Sequence, residues 1–171
     1  MIKLYFFLLA LTSLFIVSEC YAKKVHPKMK KEFIDEHIKN LNSEDPKKRK
    51  LAASLLGGIG VDSKKAIPRL IKMLNDEDPG VRKSVVYAIG RMKEYGYPHA
   101  SKLVPLLKDK DKMVRHTVVR ALGSIGNENH IPFLQEIINN SKEMGLTISE
   151  AKKSIDKIIK RVTKKISDNK K

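Results

Sequence analysis

Polar and apolar positions follow the period of a helix along this chain, and the helical pattern itself returns every thirty-three residues. From Asp45 the chain reads DPKKRKLAASLLGGIG, from Asp78 DPGVRKSVVYAIGRMK and from Asp111 DKMVRHTVVRALGSIG. Within these phrases Val81, Val85, Ala88 and Ile89 share one face of a helix, and Val114, Val118, Ala121 and Leu122 repeat it. Each aspartate stands where a side-chain oxygen caps free amides, and Pro46 and Pro79 occupy the first helical position, where no donor is lost. The first copy has Lys48 where the others have Val81 and Val114, as a terminal repeat facing water would. Gly57, Gly90 and Gly123 follow in register, as a helix stop or a position of close packing.

A second amphipathic segment precedes each aspartate. Leu70, Ile71, Met73 and Leu74 align with Leu103, Val104, Leu106 and Leu107, and Ile38 and Leu41 hold matching places before Asp45, with Phe33 and Ile34 one turn earlier. The pattern continues at Ile131, Phe133, Leu134, Ile137 and Ile138. A last helix is predicted from about Thr147 to Ile166, with Ile148, Ala151, Ile155, Ile158, Ile159 and Val162 on its face and a Thr147/Glu150 capping box at its start. No stretch alternates with period two for long enough to predict a sheet. Self-similarity at this period marks an α-solenoid, whose units bury their apolar faces against their neighbours. The expected fold is therefore all-α, with about four antiparallel helix pairs over residues 28–58, 64–92, 98–125 and 130–166.

The residues in front of the repeat follow another logic. Lys3 precedes an uncharged, mostly apolar run from Leu4 to Val17, and Cys20 and Ala22 end it before Lys23-Lys24. Residues 1–22 read as a secretory signal peptide, and 23–171 as the mature, exported domain, periplasmic or secreted. A membrane span needs about 20 apolar residues, so an uncleaved anchor ranks second. Val17-Ser18-Glu19-Cys20 resembles a bacterial lipobox, but Glu19 stands where a small residue belongs, which disfavours lipid anchoring through Cys20. The leader holds one lysine and one glutamate, so the charge of +16 stays with the mature domain. Cys20 is the sole cysteine. The domain therefore has no disulfide, thiol nucleophile or cysteine metal ligand, and packing alone must stabilise it.

The phrases resemble HEAT repeats, in particular the short bacterial type, HEAT-like or phycobilisome-lyase-type. The pattern D-P-x-V-R-x-x-A-x-x-A-L-G is followed by Asp78-Pro79-Gly80-Val81-Arg82 through Gly90, and by Asp111 through Gly123. Departures are Lys48 for valine, Lys112 for proline, and Val85 or Val118 for alanine. HEAT units commonly run to about 40–47 residues, but the ankyrin T-P-L-H phrase and the TPR tryptophan signature are missing. The resemblance implies that the second helix of each pair, the B helix, lines a concave side. The B positions left outside the core form ladders: Lys50, Lys83 and His116; Leu51, Ser84 and Thr117; Ser54, Tyr87 and Arg120; Gly58, Arg91 and Ser124. The candidate partner-binding residues are Lys50, Lys83, Tyr87, Arg91, His116 and Arg120, a basic and mildly aromatic surface suited to an extended protein or peptide. In the family the arginine repeated here as Arg49, Arg82 and Arg115 pairs with the loop aspartate, so a structural role is expected for it.

Catalytic chemistry finds little purchase. Helix capping already accounts for Asp45, Asp78 and Asp111. His26, His37, His99, His116 and His130 have neither i, i+4 pairing nor an H-E-x-x-H. The repeated His-Glu pairs that hold two irons in the HEAT-like enzyme deoxyhypusine hydroxylase do not occur. No metal or other cofactor is expected. Gly57-Gly58-Ile59-Gly60 closes a helix and lacks the Gly-Lys-Ser/Thr of a phosphate loop. Tyr95-Gly96-Tyr97-Pro98-His99 forms a loop whose tyrosines either anchor a partner or cover the end of a local core.

The positive charge collects at the two ends. Residues 142–171 hold ten Lys or Arg against four acids, and residues 23–50 are similarly rich in lysine. A second reading therefore has these ends binding an anionic polymer or membrane surface. HEAT-like DNA glycosylases bind nucleic acid, but an exported chain that prefers lysine to arginine and has few aromatics argues against that partner. The blandest account is solubility. The chain is expected to be a monomeric, non-enzymatic scaffold.

Overall fold

The structure, a computed structural model, describes residues 27–169. The leader and its cleavage site lie outside them. Among the described residues there are seven α-helices joined by 3-10 segments, with no strand. The chain divides into two compact units, one up to Glu36 and one from His37 onward. In the first unit lie the opening ten described residues, all helical. Ile34 is buried there, whereas Phe33, expected on the apolar face, is exposed.

The second unit holds the repeat. Helix α1 (Pro27–Asn40) ends inside it, and α2 (Pro46–Ile59) is the first B helix. The A segment of the second repeat is a chain of short pieces: a 3-10 stretch Gly60–Ala66, α3 (Ile67–Lys72) and a 3-10 turn Met73–Asn75. Its B helix is α4 (Pro79–Arg91). In the third repeat the A segment is 3-10 from Tyr97 to Lys108, followed by α5 (Lys112–Ile125). The fourth pairs a turn at Glu128–His130 and α6 (Ile131–Asn139) with α7 (Gly145–Asp168). Pro105 lies inside the 3-10 segment. It has no amide hydrogen, so its own backbone bond is missing from that segment.

The B helices stack in sequence, α2 on α4, α4 on α5 and α5 on α7. Leu56, Val85, Ile89, Val118, Leu122 and Ile158 are fully buried along them, and Leu70, Leu103 and Leu134 meet them from the A side. Full burial of one such side chain contributes about 1.5–3 kcal/mol.

Close approach of the B helices explains the repeated glycines. A Cβ on Gly57 would lie 2.9 Å from the Ala88 backbone, one on Gly90 would lie 2.9 Å from the Ala121 methyl, and one on Gly123 would lie 2.7 Å from the Ser154 Cβ. Each glycine therefore faces a small residue thirty-one positions ahead. The helices run on past all three, so close packing, not helix termination, is their role. Gly60 is the stop for α2: its φ of 73° is a left-handed conformation that glycine adopts without penalty, and its amide bonds to the Leu56 carbonyl. Gly60, the last of the glycine run at 57–60, thus closes the helix, as the sequence implied.

Two details of the last helix depart from expectation. It begins at Gly145 after Met144, with no side-chain cap. Thr147 is fully buried in place of forming a capping box, its hydroxyl 3.4 Å from His116 Nδ1. Ile159 is exposed, while Ser154 takes an inward place against α5 and donates to the Val119 carbonyl at 3.0 Å. No described helix is long and apolar enough to cross a membrane.

Candidate functional site

Two sets of arginines must be separated before a surface can be assigned. Arg49, Arg82 and Arg115 each lie at the start of a B helix and reach across to the next repeat. Arg49 donates from Nε and Nη2 to the two oxygens of Asp76 at 2.8 and 2.9 Å. Arg82 does the same to Asp109 at 2.7 Å, and Arg115 to Glu143 at 2.6 and 3.1 Å. The third donor group of each, Nη1, bonds two carbonyls of its own loop, such as Asp76 and Glu77 for Arg82. Each acid in turn accepts an amide of the loop it sits in. Burial opposes the charge on Asp76, Asp109 and Glu143, but the guanidinium and the loop amide bonded to each together outweigh it and hold all three carboxyls below their usual range.

The partner acids are not the capping aspartates that open the repeat phrases. Asp45 accepts from the Lys47 amide, Asp78 from Val81 and Asp111 from Met113 and Val114. Asp76 and Asp109, two residues earlier, carry the ion pairs, and Glu143 takes the place of the third after a one-residue shift in the period. These groups are structural.

The other arginines behave differently. Arg91 on α4 and Arg120 on α5 are exposed and, among the described residues, neither forms an ion pair. They line one groove of about 280 Å³ with Tyr87, Gly90, Thr117, Ala121, Ser124 and Lys157. Every lining residue comes from a B helix: three from α4, four from α5 and one from α7. The Arg120 guanidinium carbon lies 5.9 Å from the centre of the Tyr87 ring, close enough for a cation–π attraction. Small residues make the floor, because Gly90 against Ala121 is also the contact that brings α4 and α5 together.

Of the six candidate residues, Tyr87, Arg91 and Arg120 meet in this groove. Lys50, Lys83 and His116 do not line it: Lys50 is exposed, Lys83 and His116 are half-buried, and His116 is within reach of Thr147. Thr117 and Ser84, ladder positions in the sequence, are buried, with Thr117 bonded to the Met113 carbonyl. Lys157 was missed as a site residue. Its signal was present, since it lies thirty-three residues after Ser124 and continues that ladder into the fourth repeat.

The tyrosine loop is tied down locally. Lys64 Nζ lies 4.2 Å from the Tyr95 ring centre and 2.9 Å from its hydroxyl, and Arg161 faces Tyr97 at 5.7 Å. Arg161 also donates to the Gly126 and Gly123 carbonyls at 2.5 and 2.6 Å, satisfying acceptors left open at the end of α5. His130 is buried, with Nδ1 2.6 Å from Asn127 Oδ1 and Nε2 3.2 Å from Ser101 Oγ. Among the described residues no group of three His, Cys, Asp or Glu is arranged to hold a metal ion.

The HEAT repeats family model matches residues 34–103 and 94–147. Two engineered proteins solved as crystal structures by the Northeast Structural Genomics Consortium share the fold. They superpose with TM-scores of 0.62 and 0.57, both at 21% identity over 73% of this chain. The match spans 62% and 63% of those two chains, under two thirds of their length. No curated protein sequence matches this chain. In-phase capping aspartates, bridging arginines and stacked B helices are therefore the features of a chain that belongs to the HEAT-repeat family.

Proposed function

We propose that this chain is an exported, non-enzymatic scaffold that binds a protein or peptide along the solvent-facing side of its B helices, the side expected to be concave. HEAT repeats generally serve as protein-interaction scaffolds, and chains built from them are typically not enzymes. The observation that carries the reading is the groove of Tyr87, Arg91, Arg120, Ser124 and Lys157, built by three successive B helices with no contribution from an A segment. Open grooves between parallel ridges suit an elongated ligand, and aromatic and arginine side chains are the residues that most often dominate binding energy. Export rests on the leader-like residues 1–22; N-terminal sequencing of the secreted chain would find Lys23 first if cleavage follows Ala22.

Selection of peptides from a random displayed library tests the surface. Enriched peptides should lose binding to the Tyr87→Ala/Arg120→Ala double variant, with unchanged helicity. Peptides that bind the variant as well as the original would remove the B-helix face as the site.

A second reading has the lysine-rich ends hold an anionic polymer or membrane surface. Lys152, Lys153, Lys160, Lys164 and Lys165 are all exposed on α7, which favours it. Such binding weakens steeply as salt shortens the screening length to about 8 Å at physiological strength. Association insensitive to salt would eliminate it.

A further inference from the structure

The groove continues beyond Arg91 and Arg120. A neighbouring depression of about 470 Å³ shares Gly90, Arg91, Ser124 and Lys157 with it and adds Lys93, Lys160 and Arg161. No carboxylate lines either part. Three other arginines, Arg49, Arg82 and Arg115, each hold a carboxylate between two nitrogens. Arg91 and Arg120 hold none among the described residues, although both project from the same helices as the paired set. We propose that the groove takes an acidic, extended segment of a protein partner, with its carboxylates held by Arg91 and Arg120. The proposal rests on the B-helix face being the binding surface and adds the chemistry of the occupant.

Three features favour this occupant. A guanidinium offers a planar fork that receives a carboxylate through two parallel bonds, and Arg120 beside the Tyr87 ring keeps that fork at the surface. The floor of Gly90, Ala121 and Ser124 presents little side-chain bulk, so a peptide backbone approaches closely. Lys157 and Lys160 add charge along the same line, though Lys157 also reaches Glu150 at 3.4 Å. Helices pack about 8–10 Å apart, and a trough on that scale admits an extended chain but not the flat face of a bilayer. Single-stranded nucleic acid is held by stacking successive bases on aromatic rings, and the two parts of the groove offer one tyrosine each, Tyr87 and Tyr97.

Titration of the chain with a fluorescent ten-residue peptide of alternating Glu and Ala tests the proposal. Its Gln counterpart, a single-stranded oligonucleotide and vesicles of anionic lipid serve as competing probes. The Glu peptide should bind at least tenfold more tightly than the Gln peptide. The Arg91→Gln/Arg120→Gln variant should lose at least tenfold, while Lys72→Gln/Lys102→Gln, which removes the same charge at exposed positions outside the groove, should stay within twofold. Equal binding of the Gln peptide, abolished by Tyr87→Ala, would overturn the acidic preference and leave the B-helix surface standing. Equal loss from both double variants would show a general charge effect and overturn the groove as the acid site. Tighter binding of the oligonucleotide or vesicles, lost with Arg91 and Arg120, would overturn the peptide as occupant.

Discussion

Arg82 links two successive repeats at one point: Nε and Nη2 each lie 2.7 Å from an oxygen of Asp109 in the next repeat, and Nη1 bonds the Asp76 and Glu77 carbonyls of its own. Both charged side chains are 8% exposed. Attraction inside such a site is offset by the cost of removing both ions from water, so the pair's net contribution is modest, but removing one partner leaves a buried charge unpaired. Arg82→Ala should therefore destabilise the chain by about 3–5 kcal/mol, read from urea unfolding. Arg82→Lys should recover little, because one ammonium cannot replace a fork with donors on two sides. A loss under about 1 kcal/mol, the range of surface pairs, would mean that the link contributes no more than a surface ion pair.

Acid should unfold the repeat through the same links. Asp76, Asp109 and Glu143 have folded-state pKa values below their ordinary ones. Their stabilisation is complete above the unfolded values, about 3.9 for Asp and 4.3 for Glu, and is lost as pH falls through the lower folded values. His130 acts with the same sign at higher pH, because burial lowers its pKa. The unfolded chain takes up that proton first, near about 6.5. Unfolding free energy measured from pH 7 to pH 2 should fall modestly below about 6.5 and further below about 4. Asp109→Asn should flatten the lower part of the curve.

Glycine-to-alanine changes should divide by position. Gly58 is exposed and an added Cβ there meets nothing within 4 Å, whereas Gly90 and Gly123 face Ala121 and Ser154 within contact range. Gly58→Ala should raise stability by about 0.5–1 kcal/mol through lower helix entropy cost. Gly123→Ala should lower it by about 1–3 kcal/mol, the usual cost of overpacking. Thermal melts of the two variants give the comparison directly.

Lys93 has a φ of 47°, the one non-glycine residue with positive φ among those described. It stands in register between Gly60 and Gly126, thirty-three residues from each. A side chain in the left-handed region costs about 1–2 kcal/mol, and part of the relief is lost to the greater freedom of glycine in the unfolded chain. Lys93→Gly should therefore raise the unfolding free energy by roughly 0.5–1 kcal/mol. An unchanged or lower value would show that the lysine is not strained there.

Salt should separate the two kinds of basic surface. The Arg–carboxylate links are bidentate and mostly buried, so the stability lost on Arg82→Ala should change little between about 0.05 and about 0.5 M salt, in contrast to exposed charges beyond a screening length. Binding of an acidic peptide to Arg91 and Arg120, which are open to water, should weaken over the same range.

The repeat was legible in the chain because capping, helical phase and small-residue positions are local properties that recur every thirty-three residues. Asp45, Asp78 and Asp111, the buried valines, and the all-α hairpins could be read from spacing alone. Contacts between hairpins could not. Asp76 and Asp78 share the same period, so only tertiary packing could select Asp76 as the acid facing Arg49. It also set the offset of thirty-one residues that seats Ser154 under Gly123, drew Thr147 inward from its expected cap, and brought Tyr87, Arg91, Arg120 and Lys157 together while leaving Lys50 and Lys83 apart. A periodic sequence specifies which side of each helix is apolar, but the axial shift between neighbouring helices depends on how their side chains interlock, and that shift decides which residues meet.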